Sequence, residues 1–204
     1  KPEFFLINDD YFVVRGEPEE TLGDLISFIE SSRGDLREVR GLSFLENGKI
    51  NHNLYRGLLE IDTLPIPNRK LLKGRYFLNR VEAYPSTVMC TSRGCFYECT
   101  YCAPHALDQA IELEHGRNNL PKPALRLRNT QNVINEFRKI ASGGFKGIEI
   151  CDNQFIWDRE RTFTICKAIK PLKMEWICYG RADHLKDEGL LKLMKEAGCK
   201  LIYI

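Results

Sequence analysis

The sequence predicts an α/β fold built on a parallel sheet, and three observations carry that prediction. From Pro85 onward, short apolar strands alternate with amphipathic helices, the rhythm that lays parallel strands under crossover helices. Turn formers stand where those helices should stop, at Ser142-Gly143-Gly144, Pro171 and Gly198. A composition of 43% hydrophobic and 28% charged residues over 204 positions suits a globular chain with a sizeable core. Alternation alone leaves a doubly wound sheet and a barrel both open.

In chain order, Phe4 to Ile7 and Tyr11 to Val14 read as β-prone segments, broken by Arg15-Gly16-Glu17-Pro18. Leu22, Leu25, Ile26 and Ile29 then recur at helical spacing, with Pro18 in the first turn and Gly34 at the stop. This strand and helix read as one unit of an α/β layer. Leu42 to Leu45 and the residues from Ile50 flank an Asn47-Gly48 turn and read as a hairpin. Leu64-Pro65-Ile66-Pro67 carries alternate prolines that forbid a central strand, so it reads as an extended connector.

Beyond Pro85, Ser86 to Cys90 is the first strand and runs directly into a cysteine-rich loop. Thr130 is expected to cap a helix carrying Val133, Ile134, Phe137 and Ile140. Phe145 to Cys151 is the next strand, and Asp158 caps a helix with Phe163, Cys166 and Ile169. Met174 to Tyr179 is a third strand. Asp183 is expected to open a helix with Leu190, Leu191 and Met194, and Lys200 to Ile204 begins a fourth strand. A sequence ending inside an apolar strand is expected to continue in a longer polypeptide or to pair with another chain.

Charge and hydropathy exclude several function classes. Thirty basic residues against twenty-eight acidic ones give a formal charge of +2, so no polyanionic partner is implied and nucleic acid is not indicated. No apolar run approaches the ~20 residues of a spanning helix. The first ten residues lack the basic–apolar–small pattern of a secretion leader, which makes the cytoplasm the expected location.

Eight cysteines are the unusual number, and in a chain this long with no secretion pattern they are not expected to form a disulfide framework. Cys90, Cys151, Cys166, Cys178 and Cys199 sit singly among apolar neighbours and read as small buried hydrophobes. Cys95, Cys99 and Cys102 instead share one short loop with the spacing C-x3-C-x2-C. Three thiolates on such a loop suit a [4Fe–4S] cluster held by three cysteines, leaving one iron open to a small molecule. Zinc stays open as an alternative, with His105 as the fourth ligand, although structural zinc more often takes two separated pairs.

The loop resembles the signature of the radical S-adenosylmethionine (radical SAM) enzymes, C-x3-C-x-aromatic-C, with Tyr101 at the aromatic position. Arg15-Gly16-Glu17-x-Glu19, Gly41-Leu42-Ser43 and Leu64-Pro65-x-Pro67 resemble the junction of the cobalamin-binding class of that superfamily. Ile148 to Phe155 and Ala197-Gly198-Cys199 extend the match over nearly the whole chain. The resemblance implies residues 1–36 as the end of a Rossmann-like cobalamin-binding domain, 37–84 as a linker with a β-hairpin, and 85–204 as a partial (β/α) TIM-like barrel. It also implies that Cys95, Cys99 and Cys102 ligate the cluster and that S-adenosylmethionine binds the open iron.

Tyr101 would then lie beside the adenine, and Asp152 or Asn153 would accept from the methionyl ammonium in place of the family's Gly-Gly-Glu. Arg181 would pair with a carboxylate. Arg15 and Glu17 would face the cobalamin domain, and Arg126-Leu127-Arg128 reads as a solvated strand face. The implied activity is reductive cleavage of S-adenosylmethionine to a 5′-deoxyadenosyl radical, with cobalamin-dependent methyl transfer to an unactivated centre of a small-molecule substrate. Flavodoxin or ferredoxin would be the electron donor. A cyclase or rearrangement enzyme, and a non-catalytic zinc or iron–sulfur module, are the alternatives.

Overall fold

The computed structural model describes residues 2–31, 33–72, 81–97, 99–102, 111, 113–121 and 125–204. The chain divides into two compact units, Lys1–Glu60 with Ala106–Pro123, and Ile61–His105 with Ala124–Ile204.

In the first unit, β1 (Phe12–Val14), β2 (Leu42–Glu46) and β3 (Lys49–His52) form an antiparallel sheet in that order. Asn47 and Gly48 both take positive φ, 51° and 73°, the backbone that a two-residue turn needs to match the twist of its strands. β1 does not join a parallel layer, as its strand–helix sequence suggested. Its register sets Phe12 opposite Phe44 and Val14 opposite Leu42, and those side chains close a small core with Leu25 and Val39.

Pro2–Phe5 is a 3-10 turn rather than a strand. Helix α1 (Pro18–Ser31) starts at its proline as expected, but it buries only Thr21 and Leu25. Leu22, Ile26 and Ile29 are 43%, 52% and 57% exposed, because three short strands cover only a narrow stripe of the helix. Arg56 pins α1, donating from Nε to Thr21 Oγ1 at 3.0 Å and from Nη1 to Glu20 at 3.1 Å, with Asp24 as its third partner.

The second unit is a parallel sheet in the order β4 (Ser86–Met89), β7 (Gly147–Ile150), β8 (Glu175–Tyr179), β9 (Cys199–Tyr203). β5 (Ser92–Arg93) and β6 (Arg126–Leu127) form a small antiparallel ladder beside it. Helices α2 (Thr130–Ser142), α3 (Arg159–Ile169) and α4 (Glu188–Glu196) supply the crossovers. Strand order follows chain order without the reversal that marks the switch point of a doubly wound sheet. The mixed α/β class with a parallel sheet is as the alternation predicted, and the four strands form an open sheet.

The core lies between one sheet face and these helices. Met89, Ile148, Ile150, Trp176 and Cys178 meet Val133, Phe137, Ile140, Ile165 and Met194, so the apolar stripe read on α2 is the buried one. Trp176 is fully buried and donates from Nε1 to Ala197 O at 2.9 Å, so its one polar atom is satisfied.

Helix starts depart from expectation by small steps with clear causes. Asn129, not Thr130, caps α2, accepting from Gln131 N at 2.8 Å while Asp62 holds the Asn129 N–H. Asp158 caps α3 as expected. α4 is capped by Asp187 rather than opened by Asp183, whose carboxylate is taken by Arg181, and Ala182–His184 forms a separate 3-10 turn.

Gly198 ends α4 at φ +99°, and a Cβ there would stand 2.0 Å from Met174 O. Gly198→Ala is therefore expected to cost about 2–5 kcal/mol, positive-φ strain plus overpacking. The denaturant midpoint of the variant checks this, and a loss near zero would show that the turn relaxes.

Candidate metal centre

The cysteine loop leaves the C-terminal end of β4, where parallel α/β sheets build their sites. Its start is locked from two elements. Asp152, just beyond β7, is 2% exposed; its carboxylate accepts from Thr91 N at 2.5 Å, from Ser92 N at 3.2 Å and from the Thr91 hydroxyl. Arg161, in the first turn of α3, donates from Nη2 to Thr91 O at 3.0 Å and to Arg128 O at 3.3 Å. Burial pushes the Asp152 carboxyl up, against the pull of those hydrogen bonds. Burial likewise pulls the Arg161 guanidinium down, against the attraction of Asp152 and Asp158.

From that anchor the chain turns at Gly94 (φ +89°) into the three cysteines, all half-buried and all free thiols. Tyr97 N–H points at Cys95 Sγ at 3.5 Å, and Cys102 N–H closes a turn on Cys99 O at 3.0 Å. Arg181 places Nη1 3.6 Å from Cys99 Sγ. An amide and a guanidinium thus stand beside two of the three sulfurs. Among the described residues, no three His, Cys, Asp or Glu side chains converge around a single ion position. Three thiols on one loop are chemically the donor set that a three-cysteine cluster takes, one on each of three irons. His105, the alternative zinc ligand, lies outside the described residues.

Around the loop, Arg181 forks onto Asp183 (Nε to Oδ1 3.1 Å, Nη2 to Oδ2 3.0 Å) and lies 3.9 Å over the Tyr97 ring. The fork holds the Asp183 carboxyl below its usual range. Tyr97 Oη is 2.7 Å from His184 Nε2, and Phe96 packs on Trp157 at 4.8 Å between ring centroids.

The remaining candidates are placed unevenly. Tyr101 is 89% exposed, with its ring in solvent. Asn153 is exposed beside the loop, its Nδ2 3.4 Å from Gly94 O. Asp152 turns its oxygens to the backbone of the loop itself, because the turn after β4 buries two N–H groups that need an acceptor. Asp152→Ala is expected to cost about 2–4 kcal/mol by orphaning those donors, read as a lowered denaturation midpoint, with Asp152→Asn losing less.

Arg15 and Glu17 bond within the first unit, Arg15 to Glu114 at 3.0 Å and Glu17 accepting from Leu59 N at 2.7 Å. Arg128 does not lie on a solvated face: it pairs with buried Glu136 at 2.6 Å.

The single cysteines also divide. Cys166 and Cys178 are buried as expected, and burial pushes the Cys166 thiol up to about 12. A hydrogen bond with Cys199, then burial, raises Cys178, so both stay protonated and inert. Cys90 and Cys151 are exposed, since each follows the last buried residue of its strand and turns to the opposite face.

No family model matches the chain. It is 31% identical over 195 residues to an uncharacterized methyltransferase of Pyrococcus horikoshii, a match that covers 94% of this chain and 39% of that protein. The solved structure of the cobalamin-dependent S-adenosylmethionine radical enzyme OxsB, with aqua-cobalamin and S-adenosylmethionine bound, superposes with a TM-score of 0.67 at 22% identity. That match covers 98% of this chain and 28% of OxsB. The chain has the fold of the cobalamin-dependent radical SAM enzymes. The radical SAM methyltransferase TsrM of Kitasatospora setae, solved with cobalamin and a [4Fe–4S] cluster, gives a TM-score of 0.65 at 19% identity, covering 94% of this chain and 37% of TsrM. The chain thus spans well under half of each of these proteins.

Within this radical SAM fold, sequence reasoning missed Arg161, Glu136, Tyr97 and His184. Arg161 and Glu136 left a signal, since each is a charge on the apolar stripe of an amphipathic helix. Tyr97 and His184 lie eighty-seven residues apart and left none.

Proposed function

We propose that this chain is the junction and first part of the core of a cobalamin-dependent radical SAM enzyme, with Cys95, Cys99 and Cys102 as the ligands of a [4Fe–4S] cluster. The observation that carries the reading is three free, half-buried thiols on one loop, at the C-terminal end of a parallel strand, with donors directed at two of the sulfurs. A cluster held there supplies, when bound, one-electron reductive cleavage of S-adenosylmethionine to methionine and a 5′-deoxyadenosyl radical.

The chain's own residues supply position. Asp152 and Arg161 fix Thr91, so the loop leaves β4 in one direction. Tyr97 holds the loop to the turn after β8. Of Asp152 and Asn153, Asn153 is the acceptor for the methionyl ammonium, since the Asp152 oxygens are held by the loop backbone. Tyr101 backs the adenine from the loop. The domain reading is the end of a Rossmann-like domain over residues 1–36, a linker over 37–84, and a partial (β/α) barrel over 85–204.

Methyl transfer to an unactivated centre of a small molecule is the proposed reaction, since the chain is similar to proteins named as methyltransferases. A flavodoxin or ferredoxin in the cytoplasm is the proposed electron source. Among the described residues no helix is long and apolar enough to cross a membrane.

The test is anaerobic reconstitution with iron and sulfide, then EPR of the reduced protein with and without S-adenosylmethionine. A [4Fe–4S] signal that changes on adding S-adenosylmethionine supports an open iron binding the cosubstrate. Stoichiometric zinc with no cluster would replace this reading with a metal-binding module.

A further inference from the structure

The turn after β8 reaches back to the cysteine loop, and its contacts do more than hold the loop in place. We propose that Arg181 is a positioning residue for the redox poise of the centre: its guanidinium donates to the Cys99 sulfur and raises the reduction potential of a cluster bound there. The inference rests on the reading of the three cysteines as cluster ligands.

Donor and acceptor are held by separate contacts. Asp183 takes Nε and Nη2 of Arg181 as a fork at 3.1 and 3.0 Å, which leaves Nη1 directed at Cys99 Sγ, 3.6 Å away. Planar bidentate pairing of this kind fixes where the remaining N–H groups point. On the other side, Tyr97 lies between Cys95 and Cys99 in the chain. Its ring sits 3.9 Å beneath the guanidinium, and its hydroxyl is tied to His184 at 2.7 Å. The loop and the arginine are thereby held to the same turn, Ala182–His184.

Reduction adds one electron to the cluster, and hydrogen bonds to its sulfurs are among the terms that set its potential. A cationic donor at a ligand sulfur stabilises the more negative, reduced state. The plain alternative is an exposed Arg181–Asp183 ion pair of little energetic value. Such a pair explains the fork but neither the sulfur contact nor the stacked ring.

Arg181→Met and Arg181→Lys, reconstituted beside the parent protein, test the inference by iron and sulfide content and by EPR-monitored titration with dithionite, which donates the one electron. The expected result is full cluster content throughout, a midpoint shifted to more negative potential in Arg181→Met, and Arg181→Lys between that variant and the parent. An unchanged midpoint in Arg181→Met at full iron content overturns the inference while leaving the cluster reading intact. Should Arg181→Met take up no iron, Arg181→Lys decides: a midpoint equal to the parent's overturns the guanidinium assignment, and a more negative one supports it. A parent protein that takes up no cluster overturns the functional reading and this inference together.

Discussion

Cys99→Ala is expected to abolish cluster assembly, with iron and sulfide content after reconstitution falling to background. On the proposed reading three thiolates serve the cubane, and removing one leaves two protein ligands and a second open iron. Cys99 is the middle ligand: its carbonyl closes the turn to Cys102 and its sulfur faces Arg181. His105→Ala is expected to leave iron content unchanged. That contrast separates a three-cysteine cluster from a zinc site completed by histidine, which would lose its metal in the histidine variant. Iron retained in Cys99→Ala would move the metal away from this loop.

The second large effect is expected at Glu136. Its side chain is 2% exposed and lies between two arginines, Arg69 at 2.7 Å and Arg128 at 2.6 Å. Arg69 also donates to Thr87 Oγ1 at 3.0 Å and to Val88 O at 2.7 Å, and Arg128 to Cys90 O at 2.8 Å. The triad therefore ties the connector at Arg69 and the strand end at Arg128 to α2 and to β4, the strand that runs into the cysteine loop. Glu136→Ala leaves two part-buried cations facing each other without their counter-charge, which is expected to cost about 3–5 kcal/mol.

Unfolding in denaturant checks this. A loss under about 1 kcal/mol would mean that both arginines swing to solvent, as exposed ion pairs allow. Glu136→Gln, which keeps the shape and one acceptor oxygen, is expected to lose less. Replacing all three residues with apolar ones of similar volume is expected to be far milder than the single deletion, because the desolvated charges leave together.

Much of the second unit was legible in the sequence because its determinants are local. Val133, Ile134, Phe137 and Ile140 recur at helical spacing and all are buried. Asp158 stands where its carboxylate reaches the Arg161 N–H, and Asn47-Gly48 turns the hairpin. Misreadings fall where a nearby competitor takes the signal. Thr130 yields the cap to Asn129, and Asp183 is drawn to Arg181, so α4 waits for Asp187. In the first unit, Leu22, Leu25, Ile26 and Ile29 have the period of a buried face, yet only Leu25 of that set meets the small sheet.

The sequence by itself determined the cysteine loop, the strand–helix alternation and the turns, because each is written within a few consecutive residues. Tertiary structure alone decided what the polar residues do. Asp152 reads as a ligand-facing carboxylate until Thr91, sixty-one residues earlier, takes both its oxygens. Arg128 reads as solvated until Glu136 and Cys90 O draw it in, and nothing local to Arg181 announces that Tyr97 and Cys99 lie beneath it. The pairing of β4 with β7, and of β7 with β8, brings these groups together. A buried polar group takes whatever partner that packing supplies, since leaving it unpaired costs more than any local preference it carries.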